Sequence, residues 1–180
     1  MDIIRRQTNL FSHKATQCGA VAIEAAFLLP IALVLLFAIC HYSMIFFAAS
    51  LFDHAAKEGI RSALSLVDES CYFSTSGCSD QATLDLVRPT IIASSSDVIQ
   101  TMTKGSGDDL GSLFGVALPS KNQLISVSTI SGGGCCEVSI NFSNYRATPF
   151  LPTQVVDSLL PGTESVFPDA ITASVVMKLN

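Results

Sequence analysis

The stretch that decides the fold runs Cys18-Gly19-Ala20-Val21-Ala22-Ile23-Glu24, then Ala25-Ala26-Phe27-Leu28-Leu29-Pro30 and on, without a charge, to Cys40. After His41, Tyr42 and Ser43 it resumes as Met44-Ile45-Phe46-Phe47-Ala48-Ala49. A helix from Ala25 to Ala49 would extend about 37 Å at about 1.5 Å per residue, enough to cross a hydrocarbon core of about 30 Å with some tilt. In hydrocarbon the backbone has to satisfy its own hydrogen bonds, so a lone segment crosses as a helix. The stretch reads as a membrane anchor.

Glu24 is the one charge in this block, set just inside its N-terminal edge. A carboxylate at the centre of a spanning helix costs roughly 2.5–3.5 kcal/mol on insertion scales, and less near an interface. Two readings follow. In one, the side chain snorkels to water. In the other, the chain is cut between Gly19 and Ala20, and Glu24 becomes the fifth residue of the mature protein. Its carboxylate then pairs with a new α-amino group, on its own chain or on a neighbour.

At these residues the chain resembles the type IV pilin-like proteins, and specifically the TadE-like minor pilins (pseudopilins) of tight-adherence pilus systems. Gly19 followed by Ala20-Val21-Ala22-Ile23-Glu24 resembles the family's Gly-x-x-x-x-Glu junction, and Pro30 its early proline. Lys57-Glu58-Gly59-Ile60-Arg61 resembles its Arg-Glu-Gly-Ala-Arg-like segment, with Lys57 and Ile60 substituted. Ala25 stands where the family often has an aromatic residue. The resemblance implies a prepilin leader, cleavage by a prepilin peptidase at Gly19–Ala20, and a role for Glu24 in assembly. It also implies other pilins or pseudopilins, a pilus assembly platform and membrane lipid as partners.

Charge agrees with an anchor. The first nineteen residues carry a net +2 from Arg5, Arg6 and Lys14 against Asp2, and the remainder a net −7. Basic residues ahead of the apolar block place the N-terminus in the cytoplasm and the C-terminus outside. The acidic remainder presents no basic surface for nucleic acid. The apolar run exceeds the roughly 7–15-residue core of a secretory signal. A lipoprotein cut before Cys40 would meet Ile39 where a small residue is usual.

Of six cysteines, Cys18 and Cys40 fall in the leader or anchor and are expected to be free. Cys71, Cys78, Cys135 and Cys136 fall in the exported part, where disulfides persist. In an alternating strand Cys135 and Cys136 would point to opposite faces, which disfavours bonding them to each other. Tying each to Cys71 or Cys78 closes loops worth roughly 4 kcal/mol in the loop-entropy model, and this crossed pairing is favoured over a short Cys71–Cys78 loop.

Beyond the anchor, helical spacing continues through Phe52, Ala55, Ala56, Gly59, Ile60, Ala63 and Val67, a stalk with a small-residue ridge at Ala55, Gly59 and Ala63. Residues 68–80 read as a loop, followed by a short helix from Asp80 to Val87 stopped by Arg88-Pro89. Lys104 to Gly111 reads as a mobile loop. Gln123 to Ile130 and Cys136 to Phe142 alternate as strands and form a hairpin across Ser131-Gly132-Gly133-Gly134. Residues 145–169 form an irregular connection with one helical turn at Gln154–Leu160, and Ile171 to Leu179 forms a last strand. The expected class is α+β: a long N-terminal transmembrane and stalk helix followed by a small antiparallel sheet domain, pilin-like. Its divisions are a leader at 1–19, the helix at 20–67 and an extracytoplasmic domain at 68–180.

The region after residue 67 contains no histidine, since His13, His41 and His54 all precede it. That removes the commonest general base and any Ser-His-Asp or Cys-His arrangement from the region. Asp108-Asp109 in its glycine loop reads as solvated surface. No enzyme, cofactor or metal site is expected. A structural protein of pilus assembly competes with an uncleaved, anchored ligand-binding or sensor module; the latter has no need of Gly19 and Glu24.

Overall fold

The computed structural model describes residues 18–67, 79–130, 135–153 and 167–177. The leader before Cys18, the loop at 68–78, the glycine turn at 131–134 and the helical turn at Gln154–Leu160 lie outside the described residues. By contacts the chain divides into two units, one ending at Ala38 and one beginning at Ile39. Helix α1 (Cys18–Leu64) contributes to both.

In the first unit α1 is apolar on every side and uncovered. Val21, Ile23, Phe27, Leu29, Ile31 and Leu33 are each more than half exposed. A helix hydrophobic all round needs an apolar surrounding rather than one buried stripe. From Val21 to Ala38 it measures about 27 Å. Pro30 lies inside it without ending it, a tolerance seen where neighbouring groups re-satisfy the freed backbone of spanning helices.

In the second unit α1 becomes one-faced. Ala48, Leu51, Phe52, Ala55, Ala56, Ile60 and Ala63 are buried, at the three- and four-residue spacing of a single stripe. The stripe packs on α2 (Asp80–Thr103), which runs back along α1. The contact is closest at Gly59. A Cβ there would come within 3.1 Å of the Ile91 carbonyl and collide with Ser95 Oγ. The small-residue ridge therefore lets the chain's own second helix approach.

Helix α2 does not stop at Pro89. Proline deletes one backbone donor, about 3 kcal/mol in an unsupported helix. Here Val87, Ile91, Ser95, Ile99 and Thr103 continue a buried face across it, and that packing wins. The helix ends at Lys104, in the left-handed region with φ 59°, where its N–H reaches the Gln100 carbonyl at 2.8 Å.

The following loop is held rather than mobile. Gln100 Nε2 donates to the carbonyls of Gly107 and Asp109, both at 3.0 Å, and Thr103 Oγ1 donates to the Leu110 carbonyl. Gly105 and Gly111 pass so closely that a Cβ on either would lie 2.7 Å from the other's nitrogen. Next, β1 (Ser112–Leu113) and β2 (Val116–Ala117) make a small hairpin that the sequence reading did not foresee. Its corner residues Phe114 and Gly115 both have positive φ, 51° and 84°, as a type I′ turn requires.

A helical turn, α3 (Lys121–Leu124), precedes the main sheet of β3 (Ile125–Ser128), β4 (Cys136–Phe142) and β5 (Ile171–Met177). The order is β3-β4-β5, antiparallel throughout, with Ile125 opposite Ile140 and Phe142 opposite Ile171. Alternation holds: Cys136, Val138, Ile140 and Phe142 face the core. Strand β3 is shorter than expected because residues 121–124 coil before it. Arg88 of α2 donates to the Val127 carbonyl at 2.9 Å and so occupies the outer edge of β3. The layout is α+β, a long apolar helix followed by small antiparallel sheets.

Candidate functional site

Two parts of α1 carry candidate functional residues, one in each unit. In the first unit, Gly19 and Ala20 lie in the first described turn of α1. Glu24 follows one turn later and is exposed among exposed apolar neighbours. Among the described residues no ion pair or hydrogen bond engages its carboxylate. A bare carboxylate on an apolar helix is an acceptor whose most favourable complement is a cation in the same low-dielectric surroundings.

In the second unit the site residue that sequence reasoning missed is His41. The anchor reading carried the apolar block to Ala49 and left His41 inside it. The structure buries His41 completely within the unit that begins at Ile39. His41 Nε2 and Tyr145 Oη lie 2.7 Å apart, hydrogen-bonded. The His41 ring also packs on Phe167 at 4.3 Å between centroids. Tyr145, equally buried, stands 5.0 Å from Phe150, which contacts Phe114 at 5.1 Å, which in turn contacts Phe47 at 5.6 Å. This aromatic seam fastens the first packed turns of α1 to the segment after β4 and to the β1–β2 corner. Burial pushes the Tyr145 phenol above its usual range, with a backbone hydrogen bond from Phe150 working the other way. A sequence signal existed: an imidazole in an apolar run has to find a polar partner.

The cysteines differ from expectation. Cys135 is joined to Cys136, not crosswise to Cys71 or Cys78, which lie outside the described residues. The strand begins only at Cys136, and Cys135 sits in a bend before it. The alternation expected to separate the two side chains therefore does not reach Cys135, and both are fully buried. Cys40 is free.

Between α1 and α2 runs a groove of about 410 Å³ lined by Phe47, Ser50, Leu51, His54, Asp97, Val98, Thr101 and Met102. It brings a serine, a histidine and an aspartate to one place, but among the described residues no hydrogen bond joins Ser50, His54 and Asp97. A nucleophile–base relay needs those contacts. Asp108 pairs with Lys121 at 2.6 Å and Asp109 Oδ1 accepts from the Gly111 N–H, so that acidic pair serves the loop.

A bare apolar helix of spanning length joined to a small α+β unit defines a class, the single-helix anchored protein. Within that class, residues 19–61 match the family described as TadE-like protein. The match begins at Gly19 and ends at Arg61, so it takes in Glu24, Pro30 and Gly59, and the segment is that of a pilus-associated family. Neither the curated proteins nor the solved structures yield a match.

Proposed function

We propose that this chain is a minor pilin or pseudopilin-type structural protein needed for assembly of a tight-adherence pilus. A leader of residues 1–19 is removed by a prepilin peptidase between Gly19 and Ala20. The mature protein sits once across the bacterial inner membrane, its N-terminus cytoplasmic and its globular unit on the periplasmic side. Glu24 neutralises the new α-amino group of Ala20, on its own chain or a neighbour's, and so lowers the cost of bringing helices of several subunits together. The aromatic seam holds the globular unit on its helix for contact with other pilins and the assembly platform. No nucleic acid, metal or cofactor enters this role.

The observation that carries the reading is overlap: the TadE-like match over residues 19–61 takes in Gly19, Glu24 and the uncovered apolar part of α1 together. N-terminal sequencing of the protein from its native membrane tests it. Ala20 is the expected first residue; Met1 would sink the reading. The uncleaved binding module draws on one feature, the groove lined by His54 and Asp97. An intact leader together with a ligand-induced stability gain that His54→Ala abolishes would favour it.

A further inference from the structure

From Ala25 to Phe52 the sequence has no Asp, Glu, Lys or Arg, a run of 28 residues and about 42 Å as a helix. A hydrocarbon core of about 30 Å takes only about 20 of them. Measured from Glu24, the core ends near Met44, and the surplus residues belong to the globular unit. Around that end the unit presents partly exposed aromatic side chains. Tyr42, two residues before that end, and Phe46, two residues after it, share one face of α1 and are 43% and 74% exposed, and Phe47 is 44% exposed. Two other elements meet them: Phe114 packs on Phe47 and is 42% exposed, and Met102, lining the same groove as Phe47, is 61% exposed. Phe114 presents its ring from a backbone with φ 51°, a conformation a bulky residue rarely takes.

We propose that this face of the globular unit rests in the headgroup layer of the membrane that α1 crosses, with lipid covering Tyr42, Phe46, Phe47, Met102 and Phe114. The occupant is lipid because the α1 part of the face continues, without a charged residue, the run that fills the hydrocarbon. Asp97 is the one acidic residue that lines the adjoining groove. Phe46 and Phe47 fall about 3–5 Å beyond the core end, inside a headgroup layer about 5–7 Å deep. Aromatic side chains concentrate at that level. Contact depends on apolar burial, so zwitterionic phosphatidylcholine suffices. The inference rests on the anchor reading above.

The chain contains no tryptophan, so single-tryptophan variants report one position each. The full chain is reconstituted in phosphatidylcholine vesicles with bromine atoms placed high or low on the acyl chains. Leu33→Trp reports the anchor, Phe46→Trp and Met102→Trp the proposed face. Leu86→Trp, exposed on α2 and about 24 Å from Met102 along the helix, reports open water. The expected result is blue-shifted emission with quenching by shallow bromines at positions 46 and 102, by deep bromines at 33, and by neither at 86. Quenching at 33 with none at 46 and 102 overturns the proposal and leaves the anchor standing. No quenching at 33 overturns both. Blue-shifted emission at 46 that no bromine quenches means protein covers the face, and also overturns it.

Discussion

The crossing of α1 and α2 at Gly59 makes a quantitative prediction. Replacing Gly59 by alanine gains about 1 kcal/mol of helix propensity. It also places a methyl group into Ser95 Oγ and 3.1 Å from the Ile91 carbonyl, overpacking of a kind that costs about 1–3 kcal/mol. The net expectation is a loss of about 1 kcal/mol. Ser95 is fully buried and its hydroxyl has no hydrogen-bond partner among the described residues, so Ser95→Ala should be neutral or stabilising by up to about 1 kcal/mol. Together they interact: removing the hydroxyl makes room for the methyl, and the double variant should be more stable than the sum of the singles by about 1–2 kcal/mol. For a chain of this size each kcal/mol moves the melting midpoint by about 2–4 °C. Near-ultraviolet circular dichroism of the full chain in detergent, followed with temperature, reads tertiary packing and so measures the cycle. Additivity within about 0.5 kcal/mol would refute the close crossing.

Tyr145→Phe removes the hydroxyl partner of His41 Nε2 inside the seam and should cost about 1–3 kcal/mol, read by the same melts; an unchanged midpoint would show that the bond holds nothing. Because burial raises the Tyr145 phenol, its contribution to stability is constant below pH 10.0 and is lost as pH climbs through the higher folded-state value. An ultraviolet titration should therefore show one late phenol that Tyr145→Phe abolishes. Glu24→Ala should leave a cleaved, membrane-bound protein that fails to support piliation; normal piliation would leave Glu24 only a snorkelling role. Non-reducing mapping should find Cys135 and Cys136 oxidised on one peptide between Lys121 and Arg146, and a peptide carrying Cys71 or Cys78 in bond with either would contradict it.

Much of this architecture was legible because it is written in periods. The uncharged block from Ala25 announces a spanning helix by length alone. Cys136-Glu137-Val138-Ser139-Ile140 alternates as a strand with one wet face, and the structure places it in the centre of the sheet. What escaped depends on partners far apart in sequence. Pro89 is a stop signal locally, and only the α1 face around Gly59 makes continuation of α2 favourable. His41 sits in a stretch whose hydropathy is that of lipid, and its role exists only because Tyr145, 104 residues on, comes to meet it. Phe114-Gly115 lacks the usual Asn-Gly of a tight hairpin, so no turn signal marked the β1–β2 corner. Of the candidate site, the Gly19 junction and Glu24 are visible as spacing, whereas the aromatic seam is visible only in three dimensions.

The arginine on the sheet margin makes the two ends of the ladder unequal. With Arg88 bound to Val127, a strand approaching β3 must first displace a guanidinium. Strand β5, seven residues without a charge or a proline, meets no such obstacle among the described residues. A strand added to this sheet would therefore meet less resistance at β5 than at β3.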